Sequence, residues 1–378
     1  MSPALTFHRR GIVEGFFGPP WSMSHRASLF EFGAKRGMNS YLYAPKDDPY
    51  HRERWQEPYP KAEWKALIEL IRIAQRNGID FVYGFHPGKG LLFSASEPVD
   101  QLLAKAARFY EAGVRTLAVL FDDIPSHLEY TADQTEFGGS LARAEGHWLK
   151  KILDRQPASW KNLEWWVCPS YYTDDPVLAR VFGAFEPSFL ETLSEHLPQK
   201  VNYLWTGPLV VSKRITLAHV EKVIRRLQRR LILWDNYPVN DLTMSAEMHL
   251  SPLRGRDARL PELVYGYLNN PLLQEALSFI PLATCFDYAE NPVKYDPEAS
   301  WRRVIEERFG HEALPHWLAI RDFCERIDKS KHANGILTLS SRTRATLDAA
   351  HRYFLENRGQ PWVEEFRPWL KLLEKNLT

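Results

Sequence analysis

Hydrophobic positions along this chain follow two periods in turn. Short apolar runs rich in Val, Ile, Leu, Phe, Tyr and Trp occupy residues 11–15, 40–44, 80–85, 116–121, 163–168, 201–205, 231–234 and 263–268. Such runs, bounded by Gly, Pro, Asn and Asp, predict strands, and the unbroken apolar stretch 117–121 predicts one buried on both faces, as in a parallel sheet. Between the runs, helical patterning covers 24–35, 62–75, 99–111, 142–154, 189–196 and 220–229, with Gly78 and Gly113 as stops. Helix, stop, strand, polar loop is the rhythm of a parallel βα protein. Eight strands, each followed by a helix or a helix-sized interval, predict an α/β fold, the (β/α)8 TIM barrel.

Each run also ends in a polar or proline-containing loop. In this barrel the C-terminal strand ends converge, so Glu14, Gly15, Lys46, His86, Asp122, Asp123, Tyr172, Trp205, Thr206, Asp235, Asn236 and Asn270 are expected at one mouth. Beyond Pro292 the strand pattern stops, and residues 298–309, 314–327, 342–356 and 362–377 carry apolar residues at helical spacing. The chain thus divides into a barrel, 1–290, and a C-terminal helical region, 291–378. The pattern does not choose between a packing domain, a dimer arm and a cleft wall for that region. Residues 55–59, with prolines on either side of Tyr59, read as an exposed loop.

Charge narrows the partners. Lys and Arg number 48 against 47 Asp and Glu, for a net charge of +1, so nothing attracts nucleic acid or an anionic membrane. The basic stretch 220–230 reads as the solvated face of an amphipathic helix. No apolar run has the length of a membrane span. Cys168, Cys285 and Cys324 are odd in number and far apart, which suits free thiols in a reducing compartment. A cytoplasmic location is expected, although a removed signal peptide would leave no trace. Thirteen Trp and sixteen Tyr supply core filling and platforms for sugar faces.

The polar inventory then limits the chemistry. There is no HxH or HExxH pair, no phosphate-cradling glycine loop and no GxSxG elbow, so neither a metal nor a cofactor is expected. What stands out is Asp122-Asp123 at the end of the 116–121 run. Two adjacent carboxylates cannot both ionise freely, so one pKa is pushed up, as a general acid requires. The same pair also reads as a solvated turn before Pro125. His86 has no assigned role and reads as a structural histidine.

Several segments, in order, resemble the glycoside hydrolase family 84 β-N-acetylglucosaminidases, the O-GlcNAcases and their bacterial homologues. They are GIVEGFFGPPW (11–21), YLYAPKDD (41–48), LFDDI (120–124), LWTGP (204–208) with Val210, Val211 and Ser212, and Trp234-Asp235-Asn236 with Asn240-Asp241. The resemblance implies a retaining exo-β-N-acetylglucosaminidase without cofactor, in which the substrate's own 2-acetamido group attacks C1 to give an oxazoline. It implies that Asp122 orients the acetamido N–H and that Asp123 is the general acid and base. Tyr172 would bond the acetamido group, Trp234 and Cys168 would wall its methyl, and Asn236 would support that end. Gly15, Lys46, Asp241 and Asn270 would bind the sugar hydroxyls. On the residues alone Gly15 could serve only its turn, Trp234 only the core, and Lys46 could pair with Asp47 or Asp48. The animal members have tyrosine at the position of Phe17 and arginine at that of Pro19, which touches the aglycone side. The expected partner is a GlcNAc-bearing glycoconjugate or glycoprotein; the aglycone and the oligomeric state are not legible. A hyaluronidase-like endo-glycosidase and an inactive GlcNAc-binding protein are the alternatives.

Overall fold

The computed structural model describes residues 5–88, 90–330 and 336–378, so the first four residues of the N-terminal reading lie outside it. Eight strands appear: β1 (Arg9–Glu14), β2 (Ser40–Tyr43), β3 (Asp80–Phe85), β4 (Thr116–Leu120), β5 (Glu164–Cys168), β6 (Val201–Trp205), β7 (Leu231–Asp235) and β8 (Val264–Asn269). Each pairs in parallel with the next, and β8 returns to β1 from Arg9↔Gly266 to Ile12↔Asn269, closing the barrel.

The runs are apolar throughout because alternate residues face different cores. Val13, Leu42, Val82, Ala118, Trp166, Leu204, Ile232 and Leu268 pack together in one cluster. Their neighbours Ile12, Tyr41, Phe81, Leu117, Trp165, Tyr203, Leu231 and Tyr267 pack in another with the surrounding helices. At the N-terminal ends of the strands Arg9 reaches Asp80 at 2.8 Å and Glu164 at 2.6 Å, tying β1 to β3 and β5.

The outer ring comprises α1 (Met23–Ala34), α2 (Lys61–Arg76), α3 (Glu97–Glu111), α4 (Thr131–Phe137), α5 (Leu141–Arg155), α6 (Pro176–Phe182), α7 (Phe189–His196), α8 (Leu217–Leu227) and α9 (Glu275–Glu290). The sequence pattern does not reveal α4 and α6, whose seven residues each are too short for a periodic stripe. After β7 no α-helix forms; the interval holds two 3-10 turns, Leu242–Met244 and Leu260–Glu262. Prolines at 238, 252 and 261 and Gly255 interrupt that stretch.

The last helices are α10 (Pro297–Phe309), α11 (Leu314–Ser330), α12 (Ser341–Glu356) and α13 (Pro361–Leu377). They pack on α9, which is apolar all round. Its Phe279, Leu282 and Phe286 join the barrel's outer core. Its Leu277, Ile280 and Ala283 join Trp301, Trp317, Phe354 and Phe366 of the C-terminal helices.

Two expectations are corrected. Residues 55–59 are not simply an exposed loop: Trp55 and Tyr59 are buried, and Lys105 Nζ donates to the Trp55 carbonyl at 2.9 Å. Tyr59 is drawn in because its hydroxyl donates to Asp48 at 2.7 Å. The basic stretch is only partly a solvated face. Arg229 lies past the end of α8 and turns inward, donating to the carbonyls of Ser194 and Leu197, while Arg226 pairs with Glu191 at 2.6 Å.

Candidate active site

At the C-terminal end of the barrel lies a cavity of about 730 Å³. Its lining includes Gly15, Lys46, Asp122, Asp123, Cys168, Tyr172, Thr206, Trp234, Asn236, Asp241 and Asn270, whereas Glu14, His86, Trp205 and Asp235, expected at the same mouth, are buried and do not line it. The strand ends deliver most of the lining residues. Asp241 comes from the irregular segment after β7, where its Oδ2 accepts the Phe17 N–H at 2.8 Å. Burial raises the pKa of Asp241.

The paired aspartates lie in opposite environments. The Phe121 N–H donates to the Cys168 carbonyl at 2.8 Å, carrying the β4–β5 pairing one residue beyond β4. Asp122 follows, buried, with one oxygen, Oδ2, in an ion pair with the Lys46 ammonium. Burial alone would raise the Asp122 carboxyl, but Lys46, with a further contribution from Arg52, outweighs it and holds the group at about 2. Its other oxygen, Oδ1, is buried without a hydrogen-bond donor. Asp123 adopts a left-handed backbone, φ 62°, which an aspartate tolerates better than most side chains. Its Oδ1 accepts the Tyr172 hydroxyl at 2.9 Å. Burial first, and the Asp122 charge second, raise the pKa of Asp123. One aspartate is ionised at neutral pH and the other is biased towards its acid form.

Lys46 therefore pairs with neither of its neighbours in sequence. Asp48 is occupied instead by the hydroxyls of Tyr43 at 2.6 Å and Tyr59 at 2.7 Å. His86 is wholly buried, and its Nε2 donates to the Asp122 carbonyl at 2.8 Å, so it braces the chain just past the end of β4. Burial, reinforced by Lys46, pushes its pKa down to about 3, leaving the ring neutral.

A second network sets the far wall. Asn236 Oδ1 accepts from Trp234 Nε1 at 2.9 Å and from Asn270 Nδ2 at 3.0 Å, while its Nδ2 donates to the Val210 carbonyl at 2.8 Å. Asn270 Oδ1 in turn accepts the Gly15 N–H at 3.2 Å. Gly15 allows this approach because a Cβ there would lie 2.3 Å from the Trp234 ring. Trp234 is thus a cavity wall rather than only a core residue. Burial pushes the Cys168 thiol well up, so it lines the cavity uncharged. All three cysteines are unpaired and buried.

Buried ion pairs hold these walls from behind, and sequence reasoning did not find them. Glu14 accepts from Arg26 at 2.8 and 2.6 Å, from the Trp21 N–H at 3.1 Å and from Tyr41. Asp235 is clamped by Arg256 at 2.7 and 2.6 Å and bonded by Tyr267. Their signal in the sequence is a carboxylate at the end of an otherwise apolar run. On the outer rim Val181, Leu209, Val211 and Leu242 are exposed, and Arg52 stacks over Phe17 at 5.1 Å.

Among the described residues, one group could hold a metal ion: Glu247, His249 and Asp328. None lines the cavity. His249 already bonds the Pro238 and Val239 carbonyls through Nδ1 and Glu247 through Nε2. Nor is any helix of the described residues long and apolar enough to cross a membrane.

A family model described as beta-N-acetylglucosaminidase matches residues 10–322. The chain is 34% identical over 291 residues to a mouse protein named Protein O-GlcNAcase, covering 76% of this chain and 31% of that one. It therefore spans about a third of the length of the curated relatives it matches. A mutant O-GlcNAc hydrolase from Thermobaculum terrenum superposes with a TM-score of 0.85 at 31% identity, covering 97% of this chain and 82% of that one. A structure titled CpGH84B gives a TM-score of 0.78 at 28% identity, over 98% and 67% of the two chains.

Proposed function

The chain belongs to the β-N-acetylglucosaminidase family, and from that premise we propose that it is a retaining exo-β-N-acetylglucosaminidase working through an oxazoline. The observation that carries the reading is the pair of carboxyls in the cavity wall: Asp122, ionised by its pairing with Lys46, beside Asp123, whose pKa burial and the Asp122 charge raise. An ionised carboxylate in such a wall is a strong acceptor for a ligand N–H. The acetamido N–H of a bound GlcNAc is such a donor.

In this mechanism Asp122 accepts the acetamido N–H and turns the acetamido oxygen towards C1. That oxygen attacks C1 as the glycosidic bond breaks, and Asp123 gives its proton to the leaving oxygen. The raised pKa of Asp123 suits it to this step. The Asp122 charge stabilises the cationic oxazoline. Asp123, now ionised, takes a proton from water as the water attacks C1, and two inversions give net retention. Tyr172 holds the acetamido group, Trp234 and Cys168 enclose its methyl, and Asn236 keeps Trp234 and Asn270 in place. Gly15, Lys46, Asp241 and Asn270 bind the hydroxyls. A buried Asp241 left unpaired by a sugar lacking a hydroxyl would discriminate strongly against it.

The substrate is a GlcNAc-bearing glycoprotein or other glycoconjugate. The relatives' name, Protein O-GlcNAcase, and the exposed apolar rim at Val181, Leu209, Val211 and Leu242 favour a polypeptide on the leaving side. Three unpaired buried thiols fit a reducing, cytoplasmic setting.

The test is hydrolysis of aryl β-N-acetylglucosaminides with good and poor leaving groups. Asp123→Asn should lose the poor leaving group by about 10²–10⁴-fold and the good one far less, the range expected for general acid catalysis. Asp122→Asn should lose both. A wild-type protein that binds GlcNAc without turnover overturns the mechanism.

A further inference from the structure

Behind the loop that carries Tyr172 lies a carboxyl group that the mechanism does not use. Glu145 is on α5 and is fully buried. In the sequence it interrupts an apolar stripe, Leu141, Ala142, Ala144, Trp148, Leu149 and Ile152, all of them buried. Its hydrogen-bond donor is the Ser170 N–H, 3.3 and 3.4 Å from its two oxygens. The Ser170 side chain is also buried against it.

Among the described residues Glu145 makes no ion pair; Arg229, which also acts on Tyr203, donates instead to the Ser194 and Leu197 carbonyls. Glu186 faces Glu145 from the segment between α6 and α7, Cys168 from β5 and Tyr203 from β6, and His196 of α7 packs against the adjoining Gly146. A buried carboxyl without a cation keeps its proton, because the charged form would be stranded in a poor solvent. Burial accordingly pushes its pKa up to about 8. Unlike Glu14 and Asp235, each clamped by an arginine, Glu145 is a neutral acid with one O–H to give and one carbonyl to receive.

Ser170 is two residues before Tyr172, and the loop between them is short. Its far end is held by the Thr206 N–H, which donates to the Tyr172 carbonyl at 3.0 Å, and by the Thr173 hydroxyl on the Gly207 carbonyl at 2.8 Å. Glu145 holds the near end. We propose that Glu145 is a positioning residue that pins the Ser170 amide and so fixes the Tyr172 hydroxyl on Asp123. This rests on the hydrolase reading above. Glu145 touches no reacting atom; it acts through the loop.

The test compares Glu145→Gln and Glu145→Ala with wild type on an aryl β-N-acetylglucosaminide between pH 5 and 9.5, with thermal melts of each. The Gln amide reproduces the donor and acceptor of the neutral acid, so Glu145→Gln should stay within about threefold of wild type at pH 6–7, while Glu145→Ala loses about tenfold or more, chiefly in kcat. A folded Glu145→Gln that loses tenfold or more in kcat overturns the proposal even if Glu145→Ala fails to fold, as does a folded Glu145→Ala with wild-type kinetics. Either result would leave the hydrolase reading intact, whereas an inactive wild type overturns both.

Discussion

Replacing Gly15 by Ala would place a methyl group 2.3 Å from Cζ2 and 2.8 Å from Cη2 of Trp234. Carbon atoms in contact sit about 3.5–4.0 Å apart, so the indole would have to retreat by more than about 1 Å. It cannot do so freely. The ring is buried, its Nε1 is bonded to Asn236 at 2.9 Å, and the Lys46 ammonium lies 5.7 Å from its centroid. Forcing a methyl into a filled site costs about 1–3 kcal/mol. A wall displaced by about 1 Å at the reacting centre can cost up to about 10²-fold in rate. Gly15→Ala should therefore lower kcat/KM on an aryl β-N-acetylglucosaminide by roughly 10- to 100-fold, with a lower melting temperature. Adding Trp234→Phe, which removes the colliding atoms, should make the two changes non-additive, with part of the stability regained. If Gly15→Ala keeps kcat/KM within about twofold and melts like wild type, the contact between Gly15 and Trp234 does not set the depth of the pocket.

Lys46→Met removes the charge that holds Asp122 at about 2 and leaves burial to push that carboxyl up. In the proposed mechanism Asp122 acts ionised, so the acid limb of the kcat/KM profile should move to higher pH; an unmoved limb refutes the pairing. The stability sign follows from the depressed pKa: the Lys46–Asp122 pair contributes above the unfolded Asp pKa and is lost as pH falls towards 2. Unfolding by denaturant at pH 7 should thus show Lys46→Met destabilised by about 3–5 kcal/mol, a loss that shrinks in acid. Ending the chain at residue 290, the division read from the sequence, would uncover Leu277, Ile280 and Ala283 of α9 and also Met248 and Leu250. Each large side chain exposed costs about 1.5–3 kcal/mol, so residues 1–290 alone should aggregate or melt at markedly lower temperature. A monomeric, fully active 1–290 fragment on size exclusion would contradict that.

The barrel was legible because its strands are buried on both faces and its helices on one, which gives runs and stripes that can be told apart without contacts. Where that contrast fails, the reading fails. The helix α9 is packed on the barrel by Phe279, Leu282 and Phe286 and on the C-terminal helices by Leu277 and Ile280, so it shows no polar face and passed as an unassigned interval. Trp55 and Tyr59 sit among prolines and charges that signal a loop, and only the distant Asp48, Lys105 and Trp148 draw them inside.

The site was legible in its membership and illegible in its electrostatics. Strand ends converge in any such barrel, so Lys46, Asp122, Tyr172, Asn236 and Asn270 could be expected together from position alone, whereas Trp234, Cys168 and Asp241 came only with the family resemblance. Which member of Asp122-Asp123 keeps its proton could not be read from position. Adjacency says only that the two repel; by that argument either could be the acid. The asymmetry comes from Lys46, 76 residues away, on Asp122 Oδ2, and from a left-handed turn at Asp123 that leaves its own carboxyl beside Tyr172 and the Asp122 charge. A local pair is thus assigned by non-local partners. Glu145 makes the same point in reverse: its place on an apolar stripe was visible in the sequence, but whether an arginine came to meet it, as one meets Glu14 and Asp235, depended on which chain segments the barrel folds over it.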